Sequence, residues 1–194
     1  MGIPASGRLA FLAWRGSSQL GEHRLTFSTR DGVLTVEIAV DYAVKLGFIT
    51  VFRYALRGRE TWSDGVLQAA QATTDNNGKK EFMRAMRDGA SLMVEGSAAR
   101  RYTAPEGSLI ASHWNRAQLD APMINPQDGT LLRFAVTPGA TMKVRDSAGG
   151  IRMARHYSLA GADPLELWYD ADDIWTSLRA KVRDGSTIVY RPVA

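Results

Sequence analysis

The sequence predicts an all-β fold: a curved antiparallel meander sheet or incomplete β-barrel of about a dozen strands, with one short helical or irregular lid segment. Three observations predict it. From Leu34 to Val44 every second residue is apolar (Leu34, Val36, Ile38, Val40, Tyr42, Val44), with Thr35, Glu37, Ala39, Asp41 and Ala43 between them. A period of two puts one face on a core and the other toward water or a polar cleft. Asp-Gly recurs at 31–32, 64–65, 88–89, 128–129 and 184–185, joined by Asn77-Gly78. These dipeptides accept the positive φ that tight hairpins require. Alternating segments return about every ten residues along most of the chain, the rhythm of a hairpin-connected meander.

The elements follow in order. Residues 8–15 read as a strand with Leu9, Phe11 and Ala13 on one face. Residues 22–29 set His23, Leu25 and Phe27 against Arg24, Thr26 and Ser28. Asp31-Gly32 turns into the long alternating strand. Gly47 then interrupts the pattern, which suggests a bulge or corner, and 48–56 continue it. Segments 60–63, 66–74 and 79–86 read as three short strands, and 91–95 pairs with 100–103 around Gly96. The pattern breaks over 105–126, which holds Pro105, Pro122 and Pro126. This stretch predicts a lid or crossover, with a short helix over 108–119 and Ser108 as its N-cap. Strands resume at 131–136, 141–145, 151–159, 165–169, 174–183 and 186–191.

A chain of 194 residues can bury roughly 70% of its unfolded surface, enough for one domain over 8–194 after an irregular, disordered stub at 1–7. No apolar run approaches the length of a membrane span. The net charge is +4, carried by 19 Arg and 5 Lys scattered over different elements. A nucleic-acid binder more often gathers its cations on one face, so no nucleic-acid partner is expected. Weak peripheral attraction to an anionic membrane surface is compatible with the charge. The absence of cysteine excludes disulfides, thiolate catalysis and cysteine–zinc sites. The start at 1–7 has no basic segment followed by an apolar one. It reads either as a cytosolic start or as the stub left by signal-peptide removal.

No motif dictates a reaction. The three histidines, His23, His113 and His156, lack ligand spacing, so no metal site is expected, and no cofactor is implied. His23 shares the parity of Leu25 and Phe27 and reads as a pocket base or a buried structural histidine. Glu60 and Trp62 share a face. A carboxyl beside an indole is either a raised-pKa acid or a strand-end ion pair. Thr73 to Gly78 offers oxygen ligands without the spacing of a calcium loop, and reads as a hairpin turn. Ser112-His113-Trp114-Asn115 lies in the irregular segment, where a rigid sheet tends to carry function. Adjacent Ser and His do not present a nucleophile and base to each other, and there is no GxSxG elbow. The five tryptophans, Trp14, Trp62, Trp114, Trp168 and Trp175, line an apolar cavity or fill a core. The candidate ligand contacts are Tyr54, Trp62, Trp114, Asn115 and Trp168, and the candidate acid–base pair is His23 with Glu60.

The runs Gly21-Glu22-His23-Arg24, Val44 to Ile49, Glu60 to Gly65, Thr74 to Gly78 and Ser112 to Asn115 together resemble a family of uncharacterised bacterial proteins that are usually exported through a signal peptide. The C-terminal pattern Leu167-Trp168-Tyr169-Asp170, Trp175, Leu178, Asp184-Gly185-Ser186 and Tyr190 is similar to the last strands of another family of periplasmic proteins of unknown function. More distantly, it resembles the open half-barrels of lipoprotein carriers. The resemblance implies a β-rich fold and a periplasmic location, and no activity. The expected function is therefore a periplasmic binding or carrier protein for a lipid or another apolar or amphipathic small molecule. The alternatives are an enzyme using the same cavity through His23 and Glu60, or an envelope interaction module with an exposed strand edge.

Overall fold

Asp31 and Gly32 both adopt positive φ, as do Asp64 with Gly65 and Asn77 with Gly78. These are the two-residue turns that the Asp-Gly and Asn-Gly rhythm predicts, and they set the hairpin register of the first half of the molecule. The structure, a computed structural model, describes residues 1–46, 49–145, 150–182 and 184–193. The corner expected at Gly47 and the strand end expected at Arg183 lie outside the described residues.

The first half contains β1 (Arg8–Arg15), β2 (Ser18–Arg30), β3 (Val33–Leu46), β4 (Ile49–Ser63), β5 (Val66–Asn76), β6 (Lys79–Asp88), β7 (Ser91–Gly96) and β8 (Tyr102–Thr103). A crossover segment follows with β9 (Leu109–Ile110), a 3-10 helix (Arg116–Asp120), β10 (Met123–Ile124) and β11 (Leu131–Leu132). The chain ends with β12 (Ala135–Arg145), β13 (Ile151–Ala160), β14 (Leu165–Asp170), β15 (Trp175–Lys181) and β16 (Thr187–Pro192).

Thirteen strands form one antiparallel, curved, unclosed sheet in the order β12-β13-β14-β15-β16-β1-β2-β3-β4-β5-β6-β7-β8. Every neighbouring pair is sequential except β16 with β1, where Phe11 faces Pro192 and Ala13 faces Tyr190. The chain ends thus meet in the middle of the sheet, and its edges are β8 and β12. The crossover carries the chain from one edge to the other. On the way β9 and β10 pair in parallel and β10 and β11 antiparallel, making a small second sheet.

The alternation of β3 works as read. Val36, Ile38 and Val40 are buried, Glu37 is exposed, and Tyr42 is half-buried. Bulges between Ala13 and Trp14, Thr61 and Trp62, and Trp168 and Tyr169 shift the register, and such irregularities increase coiling. Three expectations are corrected. Residues 49–63 are one strand rather than two, because Gly58 stays in register between Ile38 and Ala72 without breaking the ladder. Residues 135–145 likewise form one strand, with a bulge between Pro138 and Thr141. An edge strand tolerates this proline because its missing N–H faces no partner. The helical turn is Arg116–Asp120, capped by Asn115 Oδ1 accepting from Ala117 N at 3.2 Å. Ser108 instead donates its hydroxyl to the Pro105 carbonyl at 2.7 Å, since Leu109 and Ile110 are taken up in strand pairing. At the N-terminus, expected to be a loose stub, Gly2 is buried. A Cβ there would lie 1.9 Å from the Asp173 carbonyl oxygen.

Inward side chains of the large sheet and apolar residues of the crossover share one core, including Phe11, Leu25, Val36, Trp62 and Leu167 from the sheet and Ile110, Trp114, Leu119 and Ile124 from the crossover. The crossover is therefore a plug packed on the concave face. At β7, Gly96 lets it approach: a Cβ there would sit 2.0 Å from the Asp128 carbonyl oxygen.

Candidate functional site

Glu60 is the centre of the plug–sheet contact. It sits on β4 at 2% exposure, on the same face as Trp62 because the two are two residues apart in a strand. The Trp62 indole N–H donates to Glu60 Oε2 at 3.0 Å, and the Trp114 indole N–H, from the plug, donates to the same oxygen at 3.1 Å. Trp114 stands edge-on to Trp62, with ring centroids 5.5 Å apart, and to Phe27 at 5.4 Å. Oε1 of Glu60 has no hydrogen-bond partner. Burial pushes the carboxyl above the ordinary range, while the Ser112 hydroxyl and the two indoles pull it back. The net direction is upward because three neutral donors do not replace full hydration.

His23, on β2, is buried and rests its ring against Trp175 (5.3 Å) and Tyr190 (5.7 Å). Neither ring nitrogen has a partner. Burial, helped by nearby His113, lowers its pKa to about 3. His113, on the plug, packs on the other flank of Trp175 at 5.5 Å, and its Nδ1 is buried without a partner. Burial lowers its pKa to about 4. The histidine holds a positive φ of 72°, in a region that costs a non-glycine residue energy. Three hydrogen bonds fix it there. The Tyr169 hydroxyl donates to the His113 carbonyl at 2.7 Å, Gln118 Nε2 donates to that hydroxyl at 2.9 Å, and the His113 N–H donates to Gln118 Oε1 at 3.2 Å. Tyr169→Phe is therefore expected to lower stability by about 1–3 kcal/mol, the cost of leaving buried partners unpaired. A urea midpoint equal to the parent's would show that this hydroxyl does not hold the plug.

These residues border a cavity of about 380 Å³ between the plug and strands β2–β6 and β16. Its apolar wall includes Ile38, Val40, Phe52, Leu56, Met83 and Ile110, and its polar lining includes Glu60, His23, His113, Ser112, Tyr42, Tyr54 and Tyr190. The Tyr42 and Tyr190 hydroxyls hydrogen-bond to each other, and Tyr42 stacks on Tyr54 at 5.9 Å. Burial raises all three phenols, Tyr190 to about 12. At the far end, Gln127 of the plug donates to the buried Glu81 carboxylate at 2.7 Å, and Lys79 pairs with the same carboxylate from outside.

Of the residues singled out from the sequence, His23, Glu60 and Tyr54 line this cavity. No hydrogen bond or ion pair joins His23 to Glu60. Trp62 and Trp114 stand behind Glu60 as its donors, and Asn115 caps the helical turn. Trp168 lies on the opposite face of β14 from Leu167 and Tyr169, with the His156 ring tilted against it at 4.8 Å and Arg179 over it. Sequence reasoning gave no site role to Gln118, Tyr169 or Tyr190. Their roles depend on which strand ends up opposite the plug, and no local spacing encodes that. Among the described residues no three His, Asp or Glu side chains converge as metal ligands.

No curated protein matches the sequence. Among solved structures, the chain is similar to a β-barrel-like protein of the domain of unknown function DUF1849 from Brucella abortus, with a TM-score of 0.65 at 10% identity, covering 96% of this chain and 94% of that one. At that identity the similarity is one of fold. Residues 11–193 match DUF6134, a domain of unknown function, and the chain belongs to that family.

Proposed function

We propose that this DUF6134 member is a binding or carrier protein of the cell envelope, holding an apolar or amphipathic small molecule between its sheet and its plug. The observation that carries the reading is the cavity: about 380 Å³, within the range of small-molecule sites, with apolar walls and a few converging polar groups. Its size and lining suit an acyl or similarly slender chain. The periplasmic location rests on the sequence resemblance, and no helix among the described residues is long and apolar enough to cross a membrane. The acid–base alternative lacks equivalent support, since a base and an acid that do not meet have no shared proton to move.

Native mass spectrometry of the protein purified from its own host, followed by lipid extraction, tests this reading. The expected result is a discrete adduct that dissociates on activation and reappears in the organic extract. A spectrum of bare protein, together with no uptake of any amphipath supplied afterwards, would remove it.

A further inference from the structure

We propose that the polar end of this cavity is built for a neutral, hydrogen-bonding headgroup — a hydroxyl, ester or amide on an apolar chain — and rejects free carboxylates, phosphates and ammonium groups. The inference rests on the ligand reading above and names the chemical class of the ligand. Four buried polar atoms of the lining lack partners: Oε1 of Glu60, Nδ1 and Nε2 of His23, and Nδ1 of His113. Unpaired buried polar atoms are costly, so a bound group that supplies the missing hydrogen bonds gains what their absence loses.

The chemistry of these atoms selects the group. A neutral imidazole offers one donor and one acceptor, and burial keeps both histidines neutral near pH 7. Oε2 of Glu60 already accepts two indole N–H groups. A proton retained by this carboxyl therefore belongs on Oε1, where it makes a donor. The Tyr42 and Tyr190 hydroxyls share one hydrogen bond, which leaves one phenolic O–H as a further neutral donor. The lining thus presents both donors and acceptors, and burial drives its imidazoles and its carboxyl toward their neutral forms.

Ionic headgroups fare worse. The cavity lining includes one cation, Arg59. Its guanidinium is half-exposed and paired with Glu37 at 3.0 Å on the outer face of the sheet. A carboxylate or phosphate entering beside His23 and Glu60 would shed its water without gaining a counter-charge. An ammonium would face two imidazoles that each offer only one lone pair, and one carboxyl already bound by indoles.

The test is competition against the neutral fluorophore 1-N-phenylnaphthylamine on delipidated full-length protein at pH 7.5, with three ligands of one chain length: 1-dodecanol, dodecanoate and dodecylamine. Equal chains cancel the apolar contribution, so differences report the headgroup. Dodecanol is expected to displace the fluorophore at concentrations roughly tenfold lower than either ion, a difference of about 1.4 kcal/mol. In His23→Leu and Glu60→Leu the ratio of dodecanol to dodecanoate competition should shrink, each read against that variant's own affinity for the fluorophore. Equal or tighter competition by dodecanoate or dodecylamine in the parent protein overturns the headgroup assignment and leaves the ligand reading standing. No fluorophore binding and no response to any of the three removes both. Because the parent protein alone decides between these results, a variant that fails to fold does not weaken the test.

Discussion

Trp114→Ala is expected to lower the stability of the fold by about 3–5 kcal/mol, the range for emptying a fully buried aromatic site. The ring is 0% exposed, wedged edge-on between Phe27 and Trp62, and it is the plug's central anchor on the sheet. In a protein of this size that loss moves the melting midpoint down by roughly 6–20 °C. Trp114→Phe separates packing from hydrogen bonding. It keeps most of the ring but removes one of the two N–H donors to Glu60, at an expected cost of about 1–3 kcal/mol. Thermal melts of the two variants beside the parent measure both effects. An Ala variant that melts within a degree or two of the parent would show that the plug is not anchored through this ring.

Acidification from pH 7 to pH 5 is expected to cost the fold about 2–4 kcal/mol through His23 and His113. Both imidazoles have folded pKa values, about 3 and about 4, below the ordinary 6.5. Between those limits the unfolded chain binds protons that the folded chain refuses. Their contribution is therefore complete above pH 6.5 and is lost as the pH falls toward the folded values. Glu60 acts in the opposite sense. Its raised pKa favours the fold at low pH and returns part of the loss. Urea midpoints recorded across this range should fall steeply in the parent, and in His23→Phe by about half as much. A midpoint flat from pH 7 to pH 5 would mean that the imidazoles are charged or hydrated in the fold.

How much of this was legible depended on the range of each interaction. The inward set of β3 and the turns at Asp31, Asp64 and Asn77 follow from side-chain parity and backbone sterics within a few residues, and the sequence displays them directly. Glu60 and Trp62 were readable as a pair because two residues in a strand share a face. The second indole on that carboxyl was not, since Trp114 arrives from 54 residues away. Its inward direction, by contrast, followed from an aromatic residue in a proline-interrupted segment that had to cover a sheet. Gly58 and Pro138 carried misleading signals. Both are usual strand breakers, yet one fits a ladder position packed against Ile38 and Ala72, and the other sits on an open edge where its missing donor goes unnoticed. Trp168 shows the limit of composition, because an aromatic residue on a curved sheet has two faces to choose from, and strict alternation puts it opposite Leu167 and Tyr169.

The pairing of β16 with β1 has a consequence in time. The chain is made and delivered from its N-terminus, so β1 arrives before the strand that completes its hydrogen bonds. Until then the middle of the sheet is an open edge. The two halves are hairpin arrays that can form locally, but their union joins residues near opposite ends of the chain, a slow, high-contact-order step. Removing residues 187–192 would therefore leave the protein split down its centre, with two sticky strands exposed, rather than trimmed at its margin.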